Sequence, residues 1–410
     1  MTELVRRLGV TSATSVGVAA MLGAGIFFVW GPAARLAGVG VLVALPVAAL
    51  VAALNALSTT QLAMRYPVSG GAYAYGRAEL SPLAGFSAGV LFLLGKTASV
   101  AAIAVIAGGY LWPGWERAVA VALIVALSVL NATGVRSTAI ASAILAAIVI
   151  AALVATVVVG AARGAAHPSA TVGSITPLGV LQAASLIFYS FAGYARIATL
   201  SEEVRDPRRT LPRAVVLALS TVFLLSAVVA VALVALLGVD ALAASTSPLA
   251  DLVGPGWRPV VAVAAAVACA GSLLGVLAGL SRTSLAMARD GELPRPLAQV
   301  SPRTATPVRA QLIVSAVGIG AALLADPTVL VGLSTCAVLG YYGLAHASAL
   351  RLSGGDRWLP RWIPIVGLVC CAALALAAPW PAVVATITLL GLAVGVRAIV
   401  RRHRGTPAPA

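Results

Sequence analysis

The chain has 410 residues, of which 61% are hydrophobic and only 10% charged, with a mean hydropathy of +1.04. Ordinary soluble domains carry about 25% charge, so a water-soluble globular fold is excluded. The formal net charge of +15, from 27 Lys+Arg against 12 Asp+Glu, raises nucleic acid as a partner, but the basic residues are spread over many short segments between apolar runs and form no single patch.

Those runs are roughly 20 residues long, the length that crosses about 30 Å of hydrocarbon. They predict an all-α polytopic membrane protein with twelve transmembrane helices, at about 10–33, 38–63, 83–112, 117–134, 138–162, 177–198, 212–238, 258–285, 308–325, 328–350, 361–379 and 381–400. Arg6 and Arg7 ahead of the first run resemble the start of a signal peptide, yet no convincing cleavage site follows, and the segment reads as a retained helix. With the amino terminus inside, 22 arginines fall on the cytoplasmic side, and Arg35, Arg117, Arg163 and Arg258 fall outside. This asymmetry predicts a cytoplasmic membrane location with both termini cytoplasmic, and it accounts for the basic charge without nucleic acid. The polar pieces Met64 to Pro82, Ser201 to Pro212 and Arg289 to Pro307 are too short for a soluble domain, and the tail from 401 to 410 is basic and expected to be disordered. Cys269, Cys336, Cys370 and Cys371 sit inside apolar runs with no metal-ligand spacing, so they read as packed thiols, and no metal or other cofactor is expected.

Two spans carry interruptions. Gly23-Ala24-Gly25-Ile26-Phe27 lies in the middle of the first, where each glycine weakens a helix by about 1 kcal/mol relative to alanine. Phe188 to Tyr194, with Gly193 among aromatics, does the same in the sixth. Unwound backbone cannot face lipid, so such breaks are expected to line a cavity walled by protein, offering free amides to an anion and free carbonyls to a cation. A zwitterion satisfies both. Recurrence five helices apart suits a five-plus-five inverted repeat. Gly271, Gly275 and Gly279 in the eighth span read instead as a close-packing stripe.

The motifs GAGIF at 23–27, Tyr66-Pro67-Val68-Ser69-Gly70-Gly71-Ala72-Tyr73, FAGY at 191–194, EEVRDPRRTLPRA from Glu202 to Ala214, and SR with MARDGELP between Ser281 and Pro294 together resemble the amino acid/polyamine/organocation transporters. The resemblance covers the first eight spans. It implies an inverted-repeat core over 1–350, peripheral helices over 351–400, a cytoplasmic tail over 401–410, and alternating access around a midplane site. It also implies that the amides of Ala24, Gly25 and Ile26 receive a substrate carboxylate, that the carbonyls of Met21, Tyr189 and Ala192 receive its ammonium, and that Tyr189 and Tyr194 serve as aromatic gates. Read on their own, both tyrosines also fit ordinary packed aromatics. At Ala195, where many members carry an acid, the sequence departs from the pattern, and Arg196 follows, read as snorkelling to the cytoplasmic face.

Lys96 is the only lysine, in the middle of an apolar stretch with no Asp or Glu in any span to pair with it. A cation at a helix centre costs roughly 2.5–3.5 kcal/mol to insert, which makes it a functional candidate by default. Three roles fit: proton coupling or a fixed charge in place of a metal ion, contact with the substrate side chain, or a structural lysine bonded to carbonyls. The resemblance places it near a pocket-lining third-span position. His346 reads as a satisfied core residue, and Ser281 and Thr283 lie too close to Arg282 to suit a sodium site. Together these features predict secondary active transport of an amino acid, neutral by the charge of Lys96, driven by protons or exchange. Cationic amino acids or polyamines are the alternative substrates, and a non-transporting receptor the alternative class. An enzyme is not expected, because no nucleophile/base pair, carboxylate pair or metal cluster lies at depth.

Overall fold

A computed structural model describes residues 8–66, 70–133, 139–164, 175–198, 200, 204–301, 304 and 306–403. In chain order the helices are α1 Val10–Met21, α2 Ala24–Phe28, α3 Trp30–Ala37, α4 Val41–Arg65, α5 Ala72–Glu79, α6 Pro82–Leu111, α7 Glu116–Ala132, α8 Ala139–Ala162 and α9 Pro177–Phe191. They continue with α10 Ala195–Ala198, α11 Pro207–Ala232, α12 Val239–Ala244, α13 Pro248–Val253, α14 Arg258–Arg289, α15 Val308–Leu324, α16 Pro327–Arg351, α17 Trp362–Ala377 and α18 Trp380–His403. Among the described residues β structure is limited to one isolated bridge, Leu8 with Val204, which ties the segment before α1 to the segment before α11.

Among the described residues, eight stretches are long and apolar enough to cross a membrane: Trp30–Arg65, Pro82–Leu111, Ala139–Ala162, Pro177–Ala198, Pro207–Leu237, Arg258–Arg289, Pro327–Arg351 and Trp380–His403. Three shorter apolar helices, α1, α15 and α17, accompany them. The fold is therefore that of a polytopic helical membrane protein.

Several helices start where a short oxygen-bearing side chain precedes proline. Ser81 Oγ accepts from the Ala84 amide at 3.1 Å, Thr176 Oγ1 from Gly179 at 3.1 Å, and Asp206 Oδ1 from Arg209 at 3.3 Å. Each cap satisfies an orphan amide, and Pro82, Pro177 or Pro207 then occupies the first helical position, where no amide hydrogen is needed. Helix α6 is the central post, with 72% of its most apolar window buried, whereas α18 buries only 6% of its own and lies at the periphery. Six of the seven tryptophans are 43–75% exposed, all near helix ends: Trp112, Trp115, Trp257 and Trp380 at one end, Trp358 and Trp362 at the other. These are the two aromatic belts of a membrane protein. The end where α4 finishes and α11 begins carries most of the arginines and is called the arginine-rich end below.

At that end the loop after α14 pins the peripheral helix to the core. The Glu292 side chain, only 2% exposed, accepts from Arg397 at 2.7 Å and 2.8 Å, from Arg401 at 2.9 Å and from Arg77 at 3.1 Å. Arg397 also stacks over Phe86 at 4.9 Å. Burial alone would raise the Glu292 carboxyl, but the Arg397 hydrogen bond and the charges of Arg397, Arg401 and Arg77 together hold it below the usual carboxylate value. A carboxylate with a lowered folded-state pKa adds stability above its unfolded value and loses that stability as pH falls through the folded one. Glu292→Gln is therefore expected to cost about 1–3 kcal/mol, because the three guanidiniums are part-exposed and can rehydrate. It should also remove part of the acid sensitivity of thermal unfolding, and melting curves of both proteins across the acid range check both effects.

Candidate substrate site at two interrupted helices

Helix α1 ends at Met21 in a tight turn. The Gly23 amide donates to the Met21 carbonyl at 2.8 Å around Leu22, whose φ of −76° and ψ of 61° are those of an inverse γ-turn. A second helical stretch then starts at Ala24 and runs through α2 into α3, since Val29 donates to Gly25 and Ala33 to Val29. The first amides of a helix have no partner within it, so the amides of Ala24, Gly25 and Ile26 are left at the break. Beyond it, the carbonyls of Ile26 and Phe27 are engaged by Trp30 Nε1 at 2.7 Å and by the Tyr110 hydroxyl at 2.7 Å, which fixes how α2 leaves the break.

The sixth interruption takes a different form from the unwound segment expected. Ala192–Tyr194 is a 3-10 turn between α9 and α10, and the Tyr189 carbonyl accepts from the Ala192 amide. A 3-10 turn tightens the backbone and keeps its hydrogen bonds local, so the helix shifts its axis without opening fully.

The two breaks face each other. A methyl on Gly193 would collide with the Ala20 carbonyl and lie 2.6 Å from the Met21 amide. One on Gly25 would lie 2.5 Å from Ser190 Oγ and 2.7 Å from Ser190 Cα. Gly23 makes the same kind of contact with Ser272 of α14, 2.7 Å from its Cβ. Glycine is needed at all three positions because backbone passes backbone, or a side chain, with no room for a Cβ. Met21, Ala24, Gly25, Ile26, Tyr189 and Ala192 thus lie on two segments packed together beside α14. Among the described residues, the buried Ser190 hydroxyl and the Tyr189 hydroxyl have no hydrogen-bond partner. Tyr189 itself is half-buried.

Lys96 lies on α6, which packs against α14 and α2. Gly89, Phe92 and Lys96 follow one another at i, i+3 and i+7. A methyl on Gly89 would lie 2.6 Å from Met287 Sδ of α14, and one on Gly279 of α14 would lie 3.8 Å from Phe92. Lys96 stands on the same face of α6 as Gly89, two turns further along. Gly275 has open space where a Cβ would stand and a methyl on Gly279 would make only an ordinary contact with Phe92, whereas one on Gly271 would lie 3.3 Å from Leu145 Cδ1, so the close packing expected of this stripe is met at Gly271 and not at Gly275. Lys96 is half-buried and makes no hydrogen bond or ion pair with the other described residues. Close by, Ser99 Oγ and Ser334 Oγ are 2.6 Å apart, joining α6 to α16.

Tyr194, the second tyrosine expected as a gate, is packed inside the protein. It is 1% exposed and stacks on Tyr342 with ring centroids 5.2 Å apart. The stack continues through Tyr341 to Phe92, with centroids at 5.1 Å and 5.3 Å, and the Tyr341 hydroxyl accepts from the Ala72 amide at 2.9 Å. An aromatic plug thus lies between the breaks and the arginine-rich end. His346 is half-satisfied: Nε2 is 2.7 Å from Asn55 Oδ1, while Nδ1 has no partner among the described residues. Ser281 donates to Ala278 of its own helix at 3.1 Å, as a packed hydroxyl does. Among the described residues no group of three or more His, Cys, Asp or Glu could hold a metal ion. Reading the sequence alone missed Ser190 and Ser272, whose only local signal is their place beside the interruptions.

A helical membrane protein with two apposed interrupted helices has the architecture of a carrier. An amino acid permease family profile matches residues 8–393, so the chain belongs to the amino acid permeases, within the amino acid/polyamine/organocation superfamily. Similar proteins include an uncharacterized transporter of Mycobacterium bovis, 49% identical across 98% of this chain and 93% of the relative. The branched-chain amino acid permease of Bacillus subtilis is 25% identical across 74% and 72% of the two chains, and the vacuolar cationic amino acid transporter 4 of Arabidopsis thaliana is 29% identical across 79% and 58%.

Proposed function

We propose that this amino acid permease is a secondary active transporter that carries a neutral amino acid across the cytoplasmic membrane by alternating access, coupled to protons or to exchange. The observation that carries the reading is the contact of the two breaks, Gly193 on Ala20 and Gly25 on Ser190. It brings helix-start amides and helix-end carbonyls to one place, as a zwitterion requires. In this reading the amides of Ala24, Gly25 and Ile26 take the carboxylate. The Ala192 carbonyl, with the second lone pairs of the Met21 and Tyr189 carbonyls, takes the ammonium. The Tyr189 ring covers the substrate, and Tyr194 anchors the aromatic plug behind it. Twelve crossings, a five-plus-five repeat over 1–350, peripheral helices over 351–400 and cytoplasmic termini complete the account. The arginine-rich end then faces the cytoplasm.

Lys96 favours neutral substrates, since a cation beside the site repels lysine, arginine and polyamines. The branched-chain relative agrees with this, and the relatives named as cationic amino acid transporters supply the competing reading. Uptake of a panel of labelled amino acids into proteoliposomes, with and without an inward proton gradient, separates them. Saturable uptake of neutral members is expected, and uptake confined to lysine, arginine or polyamines would replace the proposal with its competitor. Tyr189→Phe removes a hydroxyl that has no hydrogen-bond partner among the described residues. Its folding stability should change by no more than about 0.5 kcal/mol, while the KM for uptake rises severalfold. An unchanged KM would remove that hydroxyl from the site.

A further inference from the structure

At the arginine-rich end, away from the helix breaks, a cavity of about 420 Å³ opens between the last turn of α4, the first two turns of α11 and the connector from α16 to α17. Its lining includes Arg65, Arg208, Arg209, Arg213, Asp356 and Trp358. Arg65 pairs with Asp356 at 3.1 Å, and Arg209 pairs with Asp206 at 3.8 Å. Arg208 and Arg213 have no ion pair among the described residues. Two guanidiniums without an ion pair among the described residues thus stand in one concavity. The positive end of the 26-residue helix α11 adds to their field. Trp358, 45% exposed, and Trp362, 59% exposed at the start of α17, place the mouth in the aromatic belt, where lipid phosphates lie.

We infer that this cavity is a phosphate-anion site whose occupant is the headgroup of an anionic lipid. Guanidiniums bind phosphate oxygens in pairs, through their fixed fork of donors. A zwitterionic headgroup would bring an ammonium against the same arginines, so the pocket selects net negative lipids. The cavity has more room than a phosphate alone requires, and it leaves space for the glycerol that follows. A bound phosphate bridges α11 to α4 and to the α16–α17 connector. Because Val204, just ahead of α11, is bridged to Leu8 ahead of α1, the lipid braces the arginine-rich ends of both helices.

The test uses the purified, delipidated full-length protein, titrated with phosphatidylglycerol or phosphatidylcholine under native mass spectrometry, and separately with inorganic phosphate in a thermal-unfolding assay. Wild type should prefer phosphatidylglycerol by about tenfold or more. The Arg208→Gln/Arg213→Gln double variant should lose the preference, and Arg35→Gln, on the opposite side, should keep it. Arg208→Lys, which retains the charge, should keep most of it, and equal melting of all variants in phosphatidylcholine verifies folding. Phosphate stabilising wild type but not the double variant, without a lipid preference, would keep the anion site and assign it to a soluble phosphate. A wild type indifferent to both probes, or a double variant that binds as wild type does, would overturn the inference.

Discussion

Lys96→Ala is expected to abolish the pH dependence of uptake while leaving expression and membrane insertion intact. The side chain is the only lysine, lies on the α14-facing stripe of α6, and has no counter-charge among the described residues. Removing it eliminates an unpaired cation from the middle of a span, so folding should not suffer and should improve slightly. A lysine in such surroundings can exchange its proton with the transport cycle, whereas arginine stays charged. Lys96→Arg is therefore expected to transport poorly and to show no pH response, which separates a proton-exchanging role from a fixed charge. Uptake by both variants across a pH series is the check. Retained pH dependence in Lys96→Ala would move the coupling elsewhere and leave Lys96 as a substrate contact or a structural residue.

Gly25→Leu is expected to eliminate substrate binding. The new side chain would start 2.5 Å from Ser190 Oγ and 2.7 Å from Ser190 Cα, so the two breaks must separate to admit it. Overpacking of this kind costs about 1–3 kcal/mol where neighbours can shift, and here a neighbouring atom is backbone. The amides that would hold the carboxylate move with it. Gly25→Ala, with one methyl, should lose about tenfold or more in affinity and remain folded, which distinguishes a damaged site from a damaged protein. Equilibrium binding of labelled substrate to each variant measures this, and normal binding to Gly25→Leu would show that the substrate sits elsewhere.

Much of this was legible in composition and period. Seven of the eight long apolar stretches each fall on one expected span, and the eighth, Trp30–Arg65, joins the end of the first to the second, because a bilayer imposes length and apolarity residue by residue. The interruption at Gly23 to Gly25 was legible because glycine has few reasons to recur in mid-span. Its partner was not. That Gly193 lies on Ala20 and Gly25 on Ser190 is a contact between segments about 170 residues apart, and nothing local encodes it. The same limit hid Glu292, whose partners Arg77 and Arg397 are 215 and 105 residues away. The form of the sixth break was misjudged, since a glycine beside aromatics signals a weak point and cannot tell a 3-10 turn from an open strand. Gly271, Gly275 and Gly279 have the spacing of a packing stripe, yet spacing alone cannot tell that Gly271 packs closely on Leu145 while Gly275 faces open space. Tyr194 was placed at the site by motif alone, and its burial against Tyr342 depends on a helix far along the chain. The segments 67–69, 201–203 and 404–410, which carry part of two motifs and the basic tail, lie outside the described residues. The short helices α12 and α13, with Arg258 on Asp251 at 3.0 Å, fell between expected spans, where hydropathy has nothing to mark.

The most direct measurement is counterflow in proteoliposomes. Vesicles containing purified protein are preloaded with an unlabelled neutral amino acid, and the labelled form is added outside at trace concentration. A carrier with its site at the junction of the two breaks should accumulate label transiently above equilibrium and saturate with substrate, and Gly25→Leu should abolish the overshoot. Binding without any overshoot in the wild type, or an overshoot undiminished in Gly25→Leu, would contradict the account.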